Sequence, residues 1–69
     1  MSNHVYRKTA LVGSSPNSIE DAIQGAVSRA CKAVRNIEWI EVGEIRGHVR
    51  DGKIAHYQVC LNAGFRLDE

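Results

Sequence analysis

Ile54-Ala55-His56-Tyr57-Gln58-Val59-Cys60-Leu61-Asn62-Ala63-Gly64-Phe65-Arg66-Leu67 is the stretch whose reading decides the fold. From Tyr57 onward every odd position is apolar, whereas His56, Gln58, Cys60, Asn62, Gly64 and Arg66 make the even positions mostly polar. Strand side chains alternate sides, so this period of two predicts a long strand with one face on a core and one face open. A helix upstream can supply that core. Ile19, Ala22, Ile23, Ala26, Val27, Ala30, Cys31 and Val34 recur at three- and four-residue steps and define a single apolar stripe, rich enough in alanine to approach a sheet closely. Ser18 is the expected N-cap, its hydroxyl accepting from the amide of Asp21, and Glu20 and Asp21 place negative charge at the positive end of the helix dipole. Arg29, Lys32 and Arg35 suit the other end, and Asn36 is expected to close the helix.

Two further strands follow from the same logic. Val5 to Val12 is rich in β-formers, although Arg7, Lys8 and Thr9 interrupt its alternation, and Gly13-Ser14-Ser15-Pro16-Asn17 is expected to end it. In Trp39 to Val49 the pattern changes phase: Ile40 and Val42 are apolar even positions, Ile45 and Val49 apolar odd ones. A β-bulge near Gly43-Glu44 repairs this, placing Ile40, Val42, Ile45 and Val49 on the helix side and Trp39, Glu41, Arg46 and His48 on the other. A two-residue Asp51-Gly52 turn would mix the faces by setting Ile45 with Gln58. A three-residue loop, Arg50-Asp51-Gly52 with Gly52 left-handed, keeps them separate and is the expected connection. The result is an α+β subunit of β-α-β-β order: a three-stranded antiparallel sheet, ordered first, last, second, curled around one helix.

Sixty-nine residues make one domain, read as spanning 1–69, and a domain this small buries only about 60% of the surface its unfolded chain exposes. Extra stability must come from disulfides, a metal or assembly. Cys31 and Cys60 are isolated and are expected to be reduced, buried small hydrophobes, so assembly is the remaining source. No apolar run reaches membrane-spanning length and the first residues lack a signal-peptide core, which predicts a soluble, cytoplasmic protein with no membrane partner. A net charge of +1, from nine basic and eight acidic residues without clustering, argues against nucleic acid.

The open face carries the candidate chemistry. Trp39 offers a broad π-surface, which serves equally well for a stacked ligand or an ordinary subunit interface. Gln58 presents an acceptor oxygen and two donor hydrogens, and without a ligand it is a solvated or sheet-edge amide. Arg46 is a donor fork for an anion or hydroxyls, or else the partner of Glu44 or Glu41 in a surface salt bridge. His48 and His56 share the face too. Two imidazoles without a cysteine or carboxylate at a recognisable spacing do not make a metal site, and none is expected.

Several separated blocks together resemble one family: Val12-Gly13-Ser14-Ser15-Pro16-Asn17-Ser18, Arg35-Asn36-Ile37-Glu38-Trp39-Ile40-Glu41-Val42, Ile45-Arg46-Gly47, Tyr57-Gln58-Val59 and Gly64-Phe65-Arg66-Leu67. In this order, over essentially the whole chain, they strongly resemble the bacterial dodecins. The resemblance implies a homododecamer, a hollow shell of cubic-type symmetry, with two flavins stacked face to face at each two-fold axis between tryptophans of two subunits. Trp39 matches that tryptophan. Gln58 is then placed to pair with the flavin edge, and Arg46 to meet the ribityl oxygens or the phosphate of FMN, with riboflavin the other ligand. Some dodecins also bind coenzyme A through basic surface residues, and the positions resembling those are Arg29, Arg35 and Arg66. The implied function is flavin storage and buffering with quenching of flavin photoreactivity, not enzymatic turnover. A small oligomeric enzyme with an acid or base at its interface, or a pure oligomerisation module, are the competing readings. The sequence lacks an obvious serine-histidine-acid set or Gly-rich phosphate loop for the first.

Overall fold

The computed structural model describes residues 3–68 and runs β1 (Tyr6–Ser15), α1 (Ile19–Ala33), β2 (Ile37–Arg50) and β3 (Lys53–Arg66). The sheet order is β1-β3-β2 with both neighbouring pairs antiparallel, as expected. β1 continues three residues beyond Val12, and its helix-facing residues explain why its alternation is hard to read. They are Thr9, Leu11, Gly13 and Ser15, small because the helix passes close: a Cβ on Gly13 would overlap the carbonyl of Ala22. Ser15 is buried, donates to Asp21 Oδ2 (2.6 Å) and accepts from the amide of Asn17 (2.9 Å), fastening the strand end to the start of the helix.

Ser18 is the N-cap, accepting from the Asp21 amide at 3.0 Å. Helix closure comes earlier than expected, however. Val34, in extended conformation, is the C-cap and donates its amide to Ala30 O (2.8 Å), so Arg35 and Asn36 lie outside the helix. Asn36 instead makes the turn into β2, left-handed at φ 66, a conformation asparagine tolerates better than most residues.

The hairpin differs from expectation in its device but not in its outcome. Arg50 pairs with Lys53 across Asp51 (φ 52) and Gly52 (φ 75), a two-residue turn with both central residues left-handed, not a three-residue loop. Ala55 then lies between the pairs Val49↔Ile54 and His48↔His56, and this extra residue puts even positions opposite even ones, the separation of faces that the loop had been expected to supply. Arg46 faces Gln58 as a result. The bulge at Gly43-Glu44 is present, those two residues standing opposite Cys60 between Val42↔Leu61 and Ile45↔Val59.

The helix covers less of the sheet than its stripe suggests. Fifteen residues of helix reach about 22 Å, whereas fourteen of strand reach about 46 Å. α1 packs on β1 and β3, where Val59 and Leu61 are buried with Ala22, and from β2 only Ile40 packs against this cluster; Ala30 and Ala63 are buried as well. Val42, Ile45 and Val49, expected in the core, are exposed at 48%, 51% and 72%: the first two pair with buried Leu61 and Val59 but lie on β2, to the side of the helix, and Val49 lies near the turn. Cys31 is likewise exposed and not buried, on the flank of the stripe, while Cys60 is half-buried and both thiols are free. The radius of gyration is 14.4 Å, against about 11 Å for a compact chain of this length.

Candidate ligand-binding site

The even face of β3 and its neighbours form the uncovered side of the sheet. Trp39 pairs directly with Gly64, and a Cβ on Gly64 would run into the six-membered ring of the indole. The glycine therefore lets the ring lie over the β3 backbone. Tyr6, from β1, flanks it at 5.7 Å between ring centroids, tilted by 49°. Held from below and from one side, the indole remains 37% exposed, a large aromatic surface offered outward.

A second irregularity in β2 sets up the surroundings of the indole. Ile37 pairs with Phe65 and Trp39 with Gly64, leaving Glu38 as an extra residue. Its carboxylate accepts a hydrogen bond from the Tyr6 hydroxyl (2.8 Å) and lies 3.6 Å from Arg66 Nη1. That hydrogen bond, with lost hydration and the nearby Glu38 charge, raises the Tyr6 phenol above its ordinary pKa, against the opposing pull of Arg66. Next along the face Lys8 pairs with Glu41 at 3.1 Å.

Arg46 and Gln58 lie opposite one another at the far end. Arg46 Nη2 is 3.5 Å from Glu44 Oε1 and 3.4 Å from Cys60 Sγ, so within one subunit its salt-bridge alternative is realised, though only as an exposed and weak pair. Six residue steps along β3 separate Gln58 from Gly64, the partner of Trp39, which puts Gln58 roughly 20 Å along the strand from the indole. One subunit thus offers two half-sites on the same face, not one pocket. His48 and His56 pair directly beyond them, towards the turn. Among the described residues no three His, Cys, Asp or Glu side chains converge as metal ligands.

The three arginines matched to coenzyme A have different surroundings. Arg29 lines a groove between α1 and β1, Arg35 points to Asp68 at 3.8 Å, and Arg66 to Glu38. No helix among the described residues is long and apolar enough to cross a membrane.

This arrangement has close counterparts. The model of the dodecin family matches residues 5–68. The chain belongs to the dodecin family. It is 49% identical to the dodecin of Thermus thermophilus over 65 residues, 94% of each chain. The structure of the dodecin from Streptomyces davaonensis superposes with a TM-score of 0.93 at 50% identity, covering 99% of this chain and 100% of that one. For the dodecin of Streptomyces coelicolor the TM-score is 0.94 at 49% identity, with 100% and 99% covered. The β-α-β-β subunit of this dodecin is therefore that of its relatives. Sequence reasoning did not single out Tyr6, Glu38 or Gly64 as neighbours of the indole. The place of Gly64 depends on the extra residue Ala55 that sets the register, and those of Tyr6 and Glu38 on the irregularity at Glu38.

Proposed function

We propose that this dodecin is a cytoplasmic flavin-binding storage and buffering protein, holding FMN or riboflavin as stacked pairs between tryptophans of adjacent subunits and quenching flavin photoreactivity. The observation that carries the reading is the indole itself: unshielded on its outer face, backed by Gly64 and flanked by Tyr6, on a sheet face that no element of the subunit covers. A flat heteroaromatic ring is the natural complement of that surface. Stacked on an electron-rich indole, an excited flavin accepts an electron and returns to its ground state before it can react elsewhere. No catalytic base takes part in that process.

The roughly 20 Å between Trp39 and Gln58 supports an assembled site, in which Trp39 of one subunit supplies the stacking face and Gln58 and Arg46 of another reach the flavin edge and chain. Exposed Val42, Ile45, Val49 and Ile54 favour the same conclusion, since a subunit with five buried apolar residues among those described has little core of its own. The protein is expected to run as a twelve-subunit particle with no folded monomer at ordinary concentrations. Native mass spectrometry or light scattering showing a folded monomer would overturn that expectation.

Arg46 gives the reading its ligand test. A guanidinium gains more from a phosphate than from a hydroxyl, so FMN should bind more tightly than riboflavin, and the preference should shrink as salt is added. Fluorescence titration of the ligand-free particle with each flavin measures this directly. Arg46→Ala should lower affinity for FMN more than for riboflavin; equal losses would mean that Arg46 does not read the phosphate. If neither flavin binds, the functional reading is wrong.

A further inference from the structure

Glu38, the extra residue of its bulge, holds the hydroxyl of Tyr6 at 2.8 Å, and the ring of Tyr6 lies beside Trp39 with centroids 5.7 Å apart. A phenol, a carboxylate and an indole in direct sequence are an electron donor, its proton acceptor and an oxidisable ring. We infer that Tyr6 and Glu38 form a repair relay that returns an oxidised Trp39 to its resting state. The inference rests on the flavin reading above.

The chemistry balances with the groups named. A photoexcited isoalloxazine takes one electron from Trp39, leaving a flavin radical anion and an indole radical cation. Direct return of that electron closes the cycle in most events. For a radical cation that outlives this return, Tyr6 gives one electron to Trp39 and its phenolic proton to the Glu38 carboxylate, leaving neutral indole, a neutral tyrosyl radical and a protonated Glu38. The flavin radical anion then returns its electron to the tyrosyl radical, and Glu38 returns the proton. Nothing is consumed. Both elements of the step are physically required: a phenol radical cation is too strong an acid to persist, so tyrosine is a good electron donor only when a base takes the proton as the electron leaves. The ring contact supplies the electron path and the carboxylate supplies the base. Arg66, 3.6 Å from Glu38, and the Lys8–Glu41 pair are the other charges on the neighbouring strands at this end of the face.

Without the relay, a long-lived indole radical cation reacts with dissolved oxygen and Trp39 is destroyed. The test is the rate at which Trp39 gains oxygen under continuous blue light in air, measured by peptide mass spectrometry on FMN-loaded particles and normalised to bound flavin. Tyr6→Phe keeps the ring but removes the proton-coupled donor, and Trp39 oxidation should accelerate several-fold. Glu38→Gln keeps a hydrogen-bond acceptor but cannot take up the proton, and should shift the rate in the same direction. Transient absorption should show a tyrosyl radical in wild type that both variants lack. Equal oxidation rates in all three proteins, or no tyrosyl radical in wild type, would overturn the relay. If wild-type protein quenches flavin emission while the variants match it in oxidation, only the relay fails. If wild type does not quench bound flavin at all, the flavin reading fails and takes the relay with it.

Discussion

Trp39→Ala is expected to weaken flavin binding by roughly 30- to 1,000-fold, the equivalent of about 2 to 4 kcal/mol for removing a well-stacked ring from a ligand site. The indole contributes its full outer face, and nothing else on this side of the sheet can replace it: its neighbour Gly64 has no side chain and Tyr6 is tied to Glu38. Trp39→Phe should be milder for binding. Phenylalanine still stacks but is much harder to oxidise, so bound flavin should regain measurable emission. Time-resolved flavin fluorescence alongside native mass separates the two roles of the residue. An intact particle with weaker or brighter flavin marks a ligand-stacking Trp39, whereas a broken particle marks a structural one. Equal affinity and equal quenching in wild type and both variants would show that Trp39 does not stack on flavin.

Gly13→Ala should have the largest effect on stability. The added methyl would overlap the carbonyl oxygen of Ala22, lie 2.9 Å from its carbon and 3.2 Å from Ala26 Cβ. Two of these three atoms belong to helix backbone, so no rotamer change relieves the clash and α1 must lift from β1. A destabilisation of about 3 kcal/mol, the upper part of the usual range for overpacking, is expected, which in a domain of this size lowers the melting temperature by more than roughly 10 °C. Thermal unfolding followed by circular dichroism measures it. A melting temperature equal to wild type would mean that strand and helix do not meet as closely as described.

Much of the fold was legible because its signals are local or periodic. The odd face of β3 and the apolar stripe of α1 each report burial directly. Ser18 caps its helix through atoms three residues away, and the change of phase in β2 located its bulge. Legibility failed where two solutions satisfy the same pattern. A three-residue loop would set Arg46 against His56, whereas the two-residue turn followed by a bulge at Ala55 sets it against Gln58, and both keep even positions opposite even ones, which is all that the face pattern records. It failed also where apolar residues stay uncovered within the subunit. Val42, Ile45 and Val49 look like core in one dimension, yet the helix lies over β1 and β3 and leaves β2 to its side.

The candidate site divides in the same way. Its principal members, Trp39, Gln58 and Arg46, lie on one face of the sheet, a placement that follows from alternation. Their separation into two half-sites follows from strand length, which could have been counted. The setting of the indole could not.

By itself, then, the sequence determined the β-α-β-β order, the antiparallel sheet, the capped helix and the sidedness of most residues of the last two strands, because these depend on spacings of two to four residues along the chain. Only the tertiary structure decided how far the helix reaches, which apolar residues remain uncovered, and that Glu38 bonds Tyr6 beside Trp39. Those outcomes depend on one-residue register shifts between strands, and each shift is chosen by the summed pairing and packing of the whole sheet, a sum no local stretch of sequence contains.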